Sequence, residues 1–334
     1  MLVSFNLASN RPENFRAFLD NLEATANDPR RLEVLVKIDD EDAAMQALTD
    51  AEKQRRPFPI KVLSSPKGKG YFDLWKSINA LHALCDPKAY FVCNLNDEIR
   101  FKTKGWDTSL EKYVGFFPDH IFRLATSVSK FRNYADFWEC GYARENYPFA
   151  TKRWIDIQGD WNPCHGPDAY QQFVSFHLTR ATWPSKEQYK RDVPIWDFEI
   201  GGEGIYEGLS EEDMWLRVQR GWKTWWRILS PAMQREASRR AHHLLAHIWA
   251  HENKLTDYRV VESRWQRRVR TVDNSTGRIV RSWWYEINAP RIVLTNLWRR
   301  PNKYRLCGGR PPPLRMKKPF ILARRFAARL KAHA

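Results

Sequence analysis

The stretch YFVCNLNDEIRF, residues 90–101, decides how the chain is interpreted. It starts as an apolar strand and ends in polar and acidic side chains, Asn94, Asn96, Asp97 and Glu98. Adjacent carboxylates repel each other unless they are solvated, protonated or neutralised by a cation. Mg²⁺ and Mn²⁺ prefer oxygen ligands and usually bind one or two protein carboxylates together with phosphates. The stretch therefore allows two interpretations, a solvated turn at a strand end or a cation site.

The first half of the chain alternates segments of strand and helix character. Five segments have strand character: 2–7, 32–38, 60–63, 90–95 and 121–124. Because this alternation is typical of βαβ units, we predict an α/β fold with a largely parallel sheet. Ligands bind such sheets beyond the carboxyl ends of the strands. The second strand ends in the acids of 39–42 and the fourth in Asp97 and Glu98, so both clusters are expected at the ligand edge.

Length and composition exclude several classes of protein. A chain of 334 residues that is 43% hydrophobic predicts a packed core rather than global disorder. No apolar run reaches the roughly 18 residues of a membrane-spanning helix, and the first residues do not resemble a signal peptide. The five cysteines are odd in number and form no Cys-x-x-Cys pair, which suits a reducing compartment. We therefore predict a cytoplasmic protein.

Positive charge is concentrated at the C-terminus. The formal net charge is +16, but residues 299–334 hold twelve Lys and Arg and no acid, which leaves +4 for residues 1–298. Leu322, Phe326 and Leu330 share one helical face of this tail, so we predict an amphipathic helix at the anionic inner face of a membrane. A packed helix with a solvated basic face and nonspecific binding of nucleic acid remain alternatives.

Five segments follow one another in a recognisable order: SFNLASNRPENFRAFLDNL (4–22), KIDDED (37–42), PKGKGYFDLWKSINALHAL (66–84), NLNDEIRFKTKGWDTSL (94–110) and SEEDMWLRVQRGWK (210–223). In this order they resemble family-2-type glycosyltransferases with the GT-A fold. The resemblance covers roughly residues 1–225. It implies a GT-A (Rossmann-like) α/β/α sandwich with a mostly parallel central sheet in residues 1–230. A helical or mixed extension at 231–300 and a basic linker and tail at 301–334 would follow.

The same resemblance implies a metal-dependent glycosyltransferase that moves a sugar from a nucleoside-diphosphate donor to a hydroxyl of a glycan or lipid-linked acceptor. It also implies inversion at the sugar carbon, and a UDP-sugar is the expected donor. The segment reads Asn-Asp-Glu where the family more often has Asp at the first and last places, so Mn²⁺ or Mg²⁺ would be held by Asp97, Glu98 or both. His243 is a candidate further ligand, and a structural role is its alternative. The general base would be Asp213 or Glu212. Residues expected around the donor are Asn10, Arg11, Asp39, Asp40, Lys69, Asn79, Asn96 and Asp97.

Two other classes of protein remain as alternatives. The Arg- and Trp-rich second half suits a nucleic-acid-binding protein, because cations and aromatic faces bind phosphates and bases. A nucleotidyltransferase would also use a metal and a nucleotide, but it typically has a glycine-rich loop after the first strand, and residues 6–12 contain no glycine. The nearly neutral body and the ordered acid clusters favour the transferase, so we expect no specific nucleic-acid partner.

Overall fold

The computed structural model describes residues 1–128, 147–180, 189–202 and 227–285. The strands are β1 (Val3–Ala8), β2 (Leu32–Asp39), β3 (Ile60–Ser65), β4 (Phe91–Asn94), β5 (Ile99–Phe101), β6 (Arg123–Val128), β7 (Phe149–Thr151), β8 (Asp192–Gly202), β9 (Tyr258–Ser263), β10 (Arg268–Asp273) and β11 (Ile279–Trp284). The helices are α1 (Pro12–Thr25), α2 (Ala43–Arg55), α3 (Leu74–His82), α4 (Trp106–Glu111), α5 (Lys152–Gln158), α6 (Pro167–Arg180) and α7 (Pro231–Glu252).

The main sheet has the order β3-β2-β1-β4-β7-β6-β8-β5. Neighbours among β1 to β4 run parallel, as do β6 and β8, while β5 and β7 pair antiparallel to their neighbours. β1 and β2 are buried along almost their whole length, which is typical of parallel strands covered by helices on both faces. The predicted α/β class with a mostly parallel sheet is confirmed, and the three short or late strands β5, β7 and β8 were not predicted.

An aromatic cluster beneath the sheet fixes the segment that follows the acids of β4. The ring of Phe5 makes edge contacts with Phe101 at 5.7 Å and Trp106 at 5.8 Å, and Trp106 stacks on Phe101 at 4.1 Å. Gly105 precedes Trp106 with φ +73°, and a Cβ added there would lie 2.9 Å from Nδ2 of Asn27. The Gly-Trp pair therefore needs a glycine for its backbone and a large ring to fill the core.

α7 joins the main body to a second, antiparallel sheet of order β11-β10-β9. The inner face of this sheet is buried against α7, with the Trp249 and Trp283 rings 5.9 Å apart. The connection between β10 and β11 contains Gly277 at φ +65°. α7 and this second sheet lie in the segment 231–300, where the sequence analysis expects a helical or mixed extension.

Several predicted features lie outside the described residues. They are the acidic segment with Glu212 and Asp213 and the basic tail from 299 onwards. Within the ranges that the structure covers, no helix is both long enough and apolar enough to cross a membrane.

Candidate active site

The two acid-bearing strand ends meet at one residue, Ser9, which directly follows β1. Because β1 lies between β2 and β4 in the sheet, its carboxyl end is flanked by both acid clusters. The Ser9 backbone N–H donates to the carbonyl oxygen of Lys37 in β2 at 3.1 Å. Its Oγ donates to Oδ2 of Asp97 at 2.6 Å. Through its backbone and its side chain together, Ser9 therefore ties the end of β2 to the acids after β4.

A crevice of about 590 Å³ opens beside Ser9, over the carboxyl ends of β1, β2 and β3. The loop after β3 and the first turns of α3 form its other wall. Three of its lining residues are lysines and two are aspartates. The lining comprises Ala8, Ser9, Asn10, Lys37, Asp39, Ser65, Pro66, Lys67, Gly68, Gly70, Asp73, Leu74, Lys76 and Ser77. A pocket of this size and charge suits a small polar ligand with anionic groups.

Asp39 and Asp40 follow the same strand but have different surroundings. Asp39 lines the crevice and accepts a hydrogen bond from the ammonium group of Lys37, whose side chain is largely buried. Asp40 is exposed, and its Oδ1 accepts from Oγ of Ser64 in β3 at 2.5 Å. Of the two, Asp39 is therefore the carboxylate available to a ligand in the crevice.

The cation beside Asp97 and Glu98 is the guanidinium of Arg11. Its Nη1 lies 2.7 Å from Oε1 of Glu98, and its Nη2 bonds Oδ1 of Asp97. Asp97 is only 2% exposed, so its charge is costly without these partners. Burial lowers the pKa of Arg11, but the hydrogen bonds to Glu98 and Asp97 outweigh it, and the pKa is raised above its ordinary value. The repulsion between the adjacent acids is thus relieved within the chain itself.

The end of β4 and the loop that follows it carry polar atoms that a further ligand could bind. Oδ1 of Asn96 and both side-chain polar atoms of Asn94 are buried and have no hydrogen-bond partner among the residues that the structure describes. Buried polar groups are nearly always paired, so such atoms often mark a site that a ligand or ion completes. Two carboxylates and an amide oxygen are donors that Mg²⁺ or Mn²⁺ accepts, with phosphates supplying the rest. The residues therefore fit a divalent cation, provided that Arg11, whose side chain is 47% exposed, releases the carboxylates.

Of the other residues predicted to bind the nucleotide-sugar, some line the crevice and others support the surrounding structure. Asn10 lines the crevice. The backbone N–H of Lys69 donates to Oδ2 of Asp73 at 3.0 Å, which closes the loop after β3. Asn79 has a structural role, because its Oδ1 accepts from the backbone of Trp161 and its Nδ2 donates to the carbonyl of Asn162 at 2.8 Å. The amide of Asn79 is therefore engaged by the 161–162 loop.

The structure does not bring His243 together with Asp97 and Glu98. Its Nε2 lies 3.3 Å from Oε2 of Glu262 in β9, and Arg239 contacts the same carboxylate at 3.0 Å. Burial, followed by the charge of Arg239, lowers the pKa of His243. Among the described residues, no group of three or more His, Cys, Asp or Glu side chains is arranged to hold a metal ion.

Three residues of the site were missed by sequence reasoning. Ser9 and Lys76 are ordinary polar residues in their segments, and nothing in the sequence distinguishes them. Lys37 did carry a signal, because a charged residue inside the apolar strand LEVLVKI must find a partner or a ligand. That partner is Asp39, two residues later on the same face of the strand.

Comparison with known proteins finds similarity only at the level of structure. No family model matches the chain, and no curated protein matches it by sequence. Solved structures do match. One is a mannosyltransferase from Pyrobaculum calidifontis in complex with GDP-Man and Mn²⁺, with a TM-score of 0.47, 11% identity, and coverage of 75% of this chain and 64% of that chain.

Two further solved structures also match. S. aureus TarS 1–349 in complex with UDP-GlcNAc has a TM-score of 0.45 and 15% identity, covering 75% of this chain and 73% of that chain. Mouse xyloside xylosyltransferase 1 has a TM-score of 0.29 and 12% identity, covering 46% of this chain and 68% of that chain.

Two of these three structures are sugar transferases by name, and the third holds a nucleotide-sugar. This chain spans less than two thirds of the length of the mannosyltransferase. The chain is similar to these three structures with TM-scores of 0.29 to 0.47.

Proposed function

We propose that this protein is a glycosyltransferase that moves a sugar from a nucleoside-diphosphate donor to an acceptor hydroxyl. The observation that carries the proposal is the position of Ser9, which joins the Asp39 strand end to Asp97 beside a crevice lined by lysines. Ligands of parallel α/β sheets bind at this edge. The side chains that line the crevice indicate which kind of sugar donor it binds.

The crevice suits the nucleoside diphosphate of the donor. Lys67 supplies positive charge for the phosphates, and Lys37 and Lys76, which are ion-paired with Asp39 and Asp73, line the same crevice. Asp39 supplies a carboxylate that can accept hydrogen bonds from the hydroxyls of a ribose or from the N–H of a base. Asn10 supplies an amide at the same wall. We propose a UDP-sugar as the donor, on the sequence resemblance.

A divalent cation, Mn²⁺ or Mg²⁺, completes the proposed site at Asp97 and Glu98. A bound cation would neutralise the negative charge that develops on the departing diphosphate. The chain's own contribution is positional. Ser9 holds one oxygen of Asp97 in place, and Arg11 balances the charge of both acids before the donor arrives.

The acceptor side of the proposal rests on the sequence motif alone. Asp213 or Glu212 is the proposed general base that takes the proton from the acceptor hydroxyl, which requires a distance of about 3 Å in the complex. Direct displacement then inverts the sugar carbon. A glycan or a lipid-linked glycan is the proposed acceptor.

Isothermal titration calorimetry with nucleoside diphosphates tests the proposal. UDP and GDP are titrated into the protein with and without Mn²⁺, and we expect at least one to bind at least tenfold more tightly with the metal. The variant Asp97→Asn/Glu98→Gln should lose the metal dependence. Asp50→Asn/Glu111→Gln removes two exposed acids that do not line the crevice and serves as the matched control.

The same preparation is then incubated with a panel of nucleotide-sugars, and release of the nucleoside diphosphate is measured. Slow hydrolysis of one donor, lost in Asp97→Asn/Glu98→Gln, supports the transferase and identifies its sugar. Absence of binding by every nucleotide, with or without metal, would sink the proposal.

A further inference from the structure

The second sheet has one buried face and one face that the described residues leave open. Val269, Thr271 and Trp283 point inward, and each is at most 7% exposed. Side chains alternate along a strand, so their neighbours point outward. The register pairs Arg268 with both Ser263 and Trp284, and Arg270 with Val261 and Ser282. The arginine face consists of the outward side chains of Arg259, Val261, Arg268, Arg270 and Trp284.

The arginines of this face find no acid within the part of the chain that the structure describes. Arg259 and Arg270 reach only the neutral amides of Asn274 and Gln266. The guanidinium of Arg268 lies 3.4 Å over the ring of Trp284. Arginines of the main body behave differently, since for example Arg56, Arg123 and Arg191 are all held by carboxylates. The positive charge of the arginine face is therefore available to an external partner.

Carboxylates near the face are already engaged elsewhere. Glu262 points inward and accepts from Arg239 at 3.0 Å. Asp273 accepts from the backbone and hydroxyl of Ser275 and shapes the β10–β11 turn. Asp257 accepts from Nδ2 of Asn274 at 2.6 Å. Seven arginines and two acids lie within residues 258–285, and the two acids leave the outward charge unbalanced.

Exposed apolar side chains lie among these cations. Trp265, at the tip of the β9–β10 hairpin, is 99% exposed, and Arg264 and Arg267 flank it. Trp284 is 54% exposed and Ile279 in the edge strand β11 is also 54% exposed. Indole rings favour the boundary between lipid headgroups and acyl chains, while arginines bind lipid phosphates. A cationic face with exposed tryptophan and aliphatic groups is therefore complementary to an anionic membrane surface.

We propose that the arginine face and the Trp265 hairpin dock this protein on an anionic lipid bilayer. The aliphatic groups of Val261 and Ile279 have a place in a headgroup layer and none in a nucleic-acid groove. The guanidinium of Arg268 covers one face of Trp284, so that face is closed to a stacking base. Residues 286–334 hold thirteen Lys and Arg and one acid, so their charge adds to that of the face and does not neutralise it.

Co-sedimentation of the full-length protein with vesicles tests this docking. Phosphatidylcholine vesicles with 30% phosphatidylglycerol are compared with pure phosphatidylcholine, at constant salt. Each basic residue near an anionic surface contributes about fivefold to the partition coefficient. Arg259→Glu/Arg268→Glu/Arg270→Glu should therefore lower binding to the anionic vesicles by about a hundredfold or more. Trp265→Ser should lower it severalfold.

The matched control is Lys102→Glu/Lys104→Glu/Lys112→Glu, which makes the same change of net charge at exposed positions of the main body. Its binding should remain within about threefold of wild type. Equal losses in both triple variants would show that net charge alone, or the common basic tail, accounts for binding, and would overturn the proposal.

Two further measurements distinguish binding to lipid from binding to nucleic acid, and loss of binding from loss of folding. Binding of a fluorescent RNA is measured for the same variants, and thermal unfolding is followed for each. If the arginine-face variant loses RNA binding while its vesicle binding is unchanged, the partner is nucleic acid and the proposal fails. If Arg259→Glu/Arg268→Glu/Arg270→Glu unfolds early, Arg→Gln at the same positions and Trp265→Ser at the hairpin tip carry the test. Nucleotide binding in the crevice should not change in any of them, so this result is independent of the proposed function.

Discussion

Mild acid should loosen the docking of α7 on the second sheet. His242 is buried at this contact, and its Nδ1 donates to the carbonyl of Ser238 at 2.7 Å. Burial lowers its pKa to about 4. Nδ1 of His247 shares a hydrogen bond with the hydroxyl of Tyr258 at 2.9 Å. Burial, followed by the charge of Arg153, lowers the pKa of His247 to about 4 as well.

The direction of the effect follows from proton linkage. Both pKa values lie below the unfolded value of about 6.5, so the unfolded chain binds more protons between pH 6.5 and 4. Stability is therefore fully present above pH 6.5 and is lost as the pH falls towards 4. From pH 7 to pH 5 each histidine removes about 2 kcal/mol of the free energy of unfolding. The two are neighbours on one helix, so about 2 to 4 kcal/mol is expected together.

Urea unfolding at pH 7 and pH 5, followed by tryptophan fluorescence, measures this loss. The variant His242→Gln/His247→Gln lacks both imidazoles, so its free energy of unfolding should change by about 2 to 4 kcal/mol less between the two pH values than that of wild type. His251→Gln, at an exposed position of the same helix, is the control and should keep the wild-type pH dependence. An unchanged pH dependence in the double variant would refute the reasoning.

Three further predictions concern the site and its support. Arg11→Ala removes the guanidinium that competes for Asp97 and Glu98, so Mn²⁺ binding without nucleotide should strengthen at least tenfold by electron paramagnetic resonance; unchanged or weaker binding would count against a cation site there. Ser9→Ala leaves Oδ2 of buried Asp97 without its donor and should cost about 1 to 3 kcal/mol in urea unfolding, whereas the exposed control Ser282→Ala should cost little. Gly105→Ala should destabilise the protein by about 1 to 3 kcal/mol more than Gly115→Ala, because both have positive φ but only Gly105 has a close neighbour; equal costs would show that the backbone angle alone matters.

The sequence was most informative where one local pattern decides the structure. The apolar runs before Asp39 and Asp97 predicted parallel strands with their acids at one edge, and the register confirms that these strands flank β1. The short strands β5 and β7 have only three residues each, and their pairing depends on distant partners. No local periodicity identifies such strands.

Within the site, residue types were easier to predict than partners. The sequence showed that Asp97 and Glu98 need a cation, but it did not show that Arg11 supplies one in the folded chain. Asn79 looked like a donor contact because of its motif, and its amide is instead taken by the backbone of the 161–162 loop. Partners that lie some 80 residues apart in the chain are set by tertiary packing, which a single sequence does not reveal.

A crystal structure of the protein with a nucleoside diphosphate and Mn²⁺ tests the central claim most directly. We expect the diphosphate in the crevice within about 4 Å of Lys37 or Lys67, anomalous density for Mn²⁺ at Asp97 or Glu98, and Arg11 moved off these carboxylates. A nucleotide bound elsewhere, while Arg11 keeps both acids and the crevice holds only water, would contradict it.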